Sequence, residues 1–221
     1  MREAYELSYR EACKALVKSD LGEVCRRTGA ALNGRTLSVA FFESRVEIRL
    51  PEVEFIPADL PLVEKILILH YLTTIRPASA RVYAPGSRGA SPERSASPER
   101  SASPNRPERL VSFKNLPGAA FYAVPYQKRG PARIARRFGS SPEDFRRVCS
   151  SLGWIPESFG DLSYSFDVFP RVRAVVVLNL SDEEFPAEAG ILHNEGIVEF
   201  LPLEDVAVLG GSIATRLARA L

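Results

Sequence analysis

The densest group of ionisable side chains beside an apolar run is Asp182-Glu183-Glu184, closed by Phe185-Pro186. Asp182 and Glu184 stand two apart, so in an extended segment their carboxylates point the same way and Glu183 points to the other side. Such a pair can share a proton or hold a divalent cation. His70, one of only two histidines, would complete an acid–base set. The competing readings are plain ones: an acidic triplet before Phe-Pro is a solvated turn, and a single His on an apolar helix is a satisfied boundary residue. A second group is basic. Lys128, Arg129, Arg133, Arg136 and Arg137 lie together, the last three at i, i+3 and i+4, with Tyr122 and Tyr126 nearby. Cations beside aromatics can take an anion or stack bases, although a basic helix face is more often solvated and nucleic acid is not the expected partner. Arg171 precedes the central apolar run and is the first candidate to pair with a carboxylate of the corner. Six residues therefore stand as candidate ligand contacts: His70, Tyr122, Arg129, Arg171, Asp182 and Glu184.

No metal-ligand set, nucleophile motif or phosphate loop stands out, so no metal is expected and no cofactor is named. Cys13, Cys25 and Cys149 are far apart. An odd count without a CxxC pair argues against a disulfide framework and against a zinc or iron–sulfur site built from this chain alone. Reduced thiols in a cytoplasmic protein are expected. Apolar residues make up 45% and charged residues 25% of 221, the balance of an ordinary globular chain. No apolar run near Met1 resembles a leader, and the runs around Ile66–Leu69 and before Leu178 are too short to span a bilayer.

The elements that must position these residues follow from periodicity. Tyr5, Tyr9, Ala12 and Leu16 share one face of a helix over about 3–17. Asp20 to Arg27 forms a second, with Asp20 as N-cap and Gly29 just past the end. Leu37, Val39 and Phe41, then Val46, Ile48 and Leu50, alternate on either side of a tight connection, which predicts a hairpin. Leu62 to Leu72 leaves little polar face and reads as a central buried helix carrying His70. Val111–Phe113 reads as a short strand. Pro131 starts the basic helix. Ser141-Pro142-Glu143-Asp144 resembles a capping box with Asp in place of Glu or Gln. Tyr164, Phe166 and Val168 alternate with Ser163, Ser165 and Asp167, a strand with one buried and one wet face. Val172–Leu178 is β-branched and suits a central strand. Phe185 should point into the core and anchor the acidic corner. The last helix, from about Glu204, aligns Val206, Leu209, Ile213 and Leu217, and Gly210-Gly211 within it implies close packing against a neighbour. Strands do not alternate strictly with helices, so the expected fold is α+β: a single domain with a mostly antiparallel sheet, made of 1–84 and 109–221.

Between them, from Ser91, the chain repeats Ser-Pro-Glu-Arg-Ser-Ala with period six. Proline aside, nothing apolar larger than Ala occurs between Ala84 and Leu110. Residues 85–108 are therefore expected to be a disordered, low-complexity insert. From Pro85 to Arg109 there are five Arg and three Glu, which accounts for the chain's whole net charge of +2.

Five motifs occur in order: Leu67-Ile68-Leu69-His70-Tyr71-Leu72, Val111-Ser112-Phe113-Lys114-Asn115-Leu116-Pro117-Gly118, Val168-Phe169-Pro170-Arg171-Val172, Ser181-Asp182-Glu183-Glu184-Phe185-Pro186 and Leu201-Pro202-Leu203-Glu204-Asp205. In these the chain resembles the prokaryotic family catalogued as domain of unknown function 3786. The resemblance brings no established activity. Some relatives join this domain to a small iron–sulfur domain, which implies a link to redox or corrinoid metabolism. That cysteine module has no counterpart in this sequence. Asn179 stands where relatives often have Trp, and Leu192-His193 where they often have Phe-Asp, so His193 is not carried over as a family ligand.

The favoured reading is a non-catalytic binding or accessory protein linked to anaerobic iron–sulfur or corrinoid cofactor metabolism. It would have a small-molecule or cofactor ligand and a redox or corrinoid protein as partner, and no membrane. The alternatives are an enzyme using Asp182 and Glu184 with His70, and an anion or nucleic-acid binder using Lys128 to Arg137. Replacing Pro85–Glu108 by a short Gly/Ser linker is expected to leave the urea unfolding free energy unchanged within about 0.5 kcal/mol.

Overall fold

The computed structural model describes residues 2–74 and 109–221; the repeat, with the expectation placed on it, lies outside the described residues. The fold is α+β, with two antiparallel sheets. Helix α1 (Arg2–Lys18) buries Ala12 and Leu16. Helix α2 (Leu21–Thr28) starts where Asp20 accepts from the backbone N–H groups of Gly22 and Glu23, and ends at Gly29 with φ +74°. Strands β1 (Ala31–Asn33), β2 (Thr36–Phe41), β3 (Ser44–Arg49) and β4 (Glu54–Ile56) form a four-stranded meander. The alternation in β2 holds: Leu37, Val39 and Phe41 are buried, and Thr36, Ser38 and Ala40 are not.

Helix α3 (Leu62–Thr73) is the buried helix that its composition requires. Leu67, Ile68, Leu69, Tyr71 and Leu72 are at most 1% exposed. α1 packs along it. The chain returns as β5 (Leu110–Ser112), an edge strand of the second sheet, whose order is β5-β9-β8-β7-β6. Here β6 is Ile155–Glu157, β7 Leu162–Phe169, β8 Val172–Asn179 and β9 Glu188–Asn194. The β-branched run is indeed the central strand, β8. Helices α4 (Ala123–Arg129), α5 (Pro131–Phe138) and α6 (Pro142–Ser151) intervene, and α7 (Ile197–Phe200) and α8 (Leu203–Arg219) close the chain.

Two local expectations fail. β7 has no wet serine face: Ser163 and Ser165 are 2% and 1% exposed, and only Asp167 of the three polar residues is open. The serines are buried because each has a partner. Ser163 Oγ accepts from the Phe159 backbone N–H, and Ser165 Oγ from the Arg173 guanidinium. The capping box at Ser141 does not form either. Ser141 makes no side-chain cap, and Asp144 is drawn instead to Arg147 at 2.6 Å.

The sheets are joined at the β2–β3 turn. The Phe42 backbone N–H donates to the Val168 carbonyl at 2.9 Å. Phe41 packs on Phe169, which stacks on Tyr71 of α3 with centroids 4.1 Å apart and planes 7° apart. Phe42 itself sits at φ +52°, a conformation that costs a non-glycine residue about 1–2 kcal/mol. Its ring is 8% exposed and lies on Phe41 and Phe166, a burial that offsets that cost.

Gly210 confirms the close approach expected of α8. A methyl group there would lie 2.7 Å from the Tyr126 ring, whereas one on Gly211 would meet nothing nearer than 3.5 Å. Gly210→Ala is therefore expected to destabilise the protein by about 1–3 kcal/mol through overpacking. Gly211→Ala should be neutral or stabilise it by up to about 1 kcal/mol through helix propensity. Urea unfolding of the pair checks this; equal effects would show that α4 does not constrain α8.

Candidate functional site

The β2–β3 turn forms one wall of a cleft of about 330 Å³ lined by Phe42, Glu43, Trp154, Phe166, Asp167 and Arg173, among others. The side chains of the wall hold one another in place. Trp154 stacks on Phe166 at 3.7 Å, and Phe166 on Phe42 at 5.9 Å. Trp154 Nε1 donates to Glu43 Oε1 at 2.8 Å, and Arg216 Nη1 to Glu43 Oε2 at 3.0 Å. The Arg216 guanidinium lies 4.1 Å from the Phe42 ring centroid. Across the cleft, Arg173 donates to Glu157 and to Ser165. Asp167 is exposed beside it. The result is an aromatic floor with one cation and two carboxylates at its rim, an arrangement suited to a small polar ligand with a flat apolar part.

A second polar group lies where α1, α3 and the start of α8 meet. His70 Nδ1 is 2.5 Å from Asp205 Oδ2, and His70 Nε2 is 3.3 Å from Ser8 Oγ. The Asp205 carboxylate can only accept, so the neutral ring carries its proton on Nδ1 and leaves Nε2 to accept from the serine. The hydrogen bond to Asp205 holds the His70 pKa above its ordinary value, against the opposing effect of burial. His70 is half-buried, and Asp205 is 7% exposed.

The acidic corner is a different object from the one expected. Residues 181–186 are all exposed, and Phe185, at 65%, does not enter the core. The chain turns over on itself: Asp182 Oδ1 accepts from the Glu184 and Phe185 backbone N–H groups, and the Asp182 N–H donates to the Phe185 carbonyl. Turned segments do not alternate, so the two-apart rule for Asp182 and Glu184 lapses. His70 makes its hydrogen bonds to Asp205 and Ser8, and not to this corner. Arg171 is exposed at the β7–β8 turn, where its carbonyl accepts from Asn194.

The basic group is partly paired and partly open. Arg133 donates to Thr215, and Arg137 lies 3.9 Å from Asp144. Lys128, Arg129 and Arg136 are exposed. Tyr126 cannot stack a base: it is 5% exposed, stacked on Phe113 at 4.0 Å, with its hydroxyl against the Ile191 carbonyl and His193 Nε2. Tyr122 is partly buried. His193 is fully buried, its Nδ1 has no partner among the described residues, and burial pushes its pKa down to about 4. Among the described residues no group of three or more His, Cys, Asp or Glu is placed to hold a metal ion, and no helix is long and apolar enough to cross a membrane.

Sequence reasoning missed Phe42, Glu43, Trp154, Arg173, Ser8 and Asp205. Two signals were present. Trp154 is the chain's only tryptophan, and Phe42 occupies a two-residue hairpin turn where Gly or Asn is the usual choice. Nothing local marks Ser8 or Asp205, whose meeting with His70 is entirely tertiary.

The two histidines predict opposite pH responses. His193, depressed from an ordinary value of 6.5, contributes stability that is complete above pH 6.5 and lost as pH falls toward 4, of order 3 kcal/mol in all. His70, raised, contributes stability that is complete below 6.5 and lost as pH rises through its folded value. Urea midpoints from pH 8 to 4.5 should show His193→Leu flattening the acid limb relative to wild type and His70→Gln flattening the alkaline limb. An unchanged acid limb in His193→Leu would show that the ring is not neutral in the fold.

No curated protein and no solved structure matches the chain. One family model does, that of a domain of unknown function (DUF3786), over residues 99–216. The matched stretch holds the second sheet and its helices, including Trp154, Arg173 and most of α8. Phe42, Glu43, Ser8 and His70 lie before it. The match covers a little over half of the chain, and the protein belongs to the DUF3786 family.

Proposed function

We propose that the protein binds a small molecule in the cleft between the β2–β3 turn and the β7–β8 pair, as a binding or accessory protein rather than through chemistry at that cleft. The observation that carries this reading is Phe42. A phenylalanine is held at φ +52° so that its ring completes the aromatic floor and the next residue, Glu43, is aimed at Trp154 and Arg216. Backbone strain of this kind persists where the surroundings over-determine it, and it clusters at ligand sites. The link to anaerobic iron–sulfur or corrinoid metabolism is supported by the family resemblance alone. A cleft of about 330 Å³ is at the small end of ligand sites, which span roughly 300–1,000 Å³. It is too small to enclose a corrinoid macrocycle, so in this reading the cofactor would be met on a partner protein and the cleft would take a smaller metabolite.

The test uses Trp154, the only tryptophan, as its own reporter. A library of small metabolites at about 1 mM is screened by melting temperature. A compound at 100 times its Kd should stabilise the fold by about 2.7 kcal/mol. Binding in the cleft should also change Trp154 fluorescence. Asp167→Ala and Arg173→Ala should weaken the hit by about tenfold or more, with the unliganded melting temperature held in Asp167→Ala. A hit that leaves the fluorescence and both variants unaffected would place binding elsewhere. A colourless, metal-free protein that no compound stabilises would remove the reading.

A further inference from the structure

Three side chains from distant parts of the chain meet in a row at the junction of α1, α3 and α8. Asp205 Oδ2 stands 2.5 Å from His70 Nδ1, and His70 Nε2 stands 3.3 Å from Ser8 Oγ. The inner end of the row is closed and the other two members are partly open. Asp205 is buried, with 10% of its side chain exposed; His70 has 24% of its side chain exposed; and Ser8, on α1, is partly open to solvent. The carboxylate is thus held inside, the imidazole tautomer is set by it, and the imidazole and the hydroxyl share the partly open end of the row. Nucleophile and base lie near hydrogen-bond distance, and the base is oriented by a third group. That is the arrangement by which an ordinary hydroxyl becomes a nucleophile, and the nucleophile–base contact is commonly a little long before substrate binds. Asp205 also falls in the first turn of α8, a common place for an acidic side chain.

We propose that Ser8, His70 and Asp205 form a nucleophile–base–orienter array for acyl transfer, with small carboxylic esters as the substrate class. Ser8 Oγ attacks the ester carbonyl carbon while its proton passes to His70 Nε2. The tetrahedral adduct collapses with cleavage of the bond to the leaving oxygen, which takes the proton back from Nε2. Water, deprotonated by the same nitrogen, then attacks the Ser8 ester, releases the carboxylic acid and restores the hydroxyl. No oxidant, reductant or metal enters the balance. Ser8 and His70 touch the reacting atoms, and Asp205 is a positioning residue acting through the ring. The site is separate from the Trp154 cleft, so its failure would leave the cleft reading standing.

The experiment uses the intact chain with a fluorophosphonate probe, followed by peptide mass mapping, and with p-nitrophenyl acetate as substrate. The expected result is a phosphonate adduct on Ser8, absent in Ser8→Ala, and ester hydrolysis that Ser8→Ala abolishes. His70→Gln should slow labelling by about 100-fold or more, the usual loss for a general base. Asp205→Asn should slow it too, with part of the rate recovered in Asp205→Glu. Wild-type labelling should rise with pH as the imidazole loses its proton, a dependence that a purely structural tie between helices would not produce. Ser8→Ala changes a partly exposed hydroxyl and should fold, which keeps the test decisive even if a His70 variant does not. No adduct on Ser8 in the folded protein, or hydrolysis equal in wild type and Ser8→Ala, would overturn the proposal.

Discussion

The structure depends on one aromatic joint. Phe41 at the end of β2, Phe169 at the end of β7 and Tyr71 in the last turn of α3 pack ring against ring, and each is at most 1% exposed. Ring pairs of this kind add about 0.5–1.5 kcal/mol each beyond the area they bury. The joint also has a polar pin, the Phe42 N–H to Val168 carbonyl bond, and the Tyr71 hydroxyl donates to the Thr28 carbonyl. The first sheet, α2, α3 and the second sheet all meet here. The cleft exists because the joint holds the hairpin tip against β7.

α3, which carries Tyr71 of the joint, also contacts α8. They run antiparallel and carry polar contacts at both ends: His70 with Asp205 at one, Glu64 and Arg216 at the other, 3.9 Å apart. Arg216 is the busier of the two bases. It serves Glu43 and lies over Phe42, while its Nε is buried without a partner among the described residues. One cation is thus shared between a helix contact and the wall of the cleft. The two candidate sites occupy opposite ends of one helix pair and lean on a common apolar seam.

Much of the fold was legible because periodicity reports burial. The alternation of β2, the all-round apolar surface of α3 and the stripe of α8 each led to the right element. What failed was local chemistry that competes with periodicity. Ser163 and Ser165 look wet by pattern, yet are buried because Arg173 and the Phe159 backbone satisfy them. Asp182 looks like half of an extended carboxylate pair, yet its side chain folds back on the next two N–H groups, which removes the alternation on which the pairing rested. Of the candidate site, His70 was legible as a residue but not through its partners. Ser8 and Asp205 are 62 and 135 positions away from it, and no spacing rule reaches that far. Trp154 stood out by type, but its meaning came from a hairpin turn more than a hundred residues earlier.

The burial of α3 has a consequence for how the chain is made. Tyr71 and its neighbours present a nearly unbroken apolar surface; α1 covers one side of it as soon as α3 is made, but the face that meets β7 and α8 waits for elements about a hundred residues or more further on. At the roughly 5–20 residues per second of protein synthesis, that surface waits on the order of 5–20 s for its cover. During this interval the nascent helix is a sticky ligand for chaperones and for other copies of itself. The length of chain between Thr74 and Arg109 lengthens the wait by a few seconds at the same rate, whatever else it does.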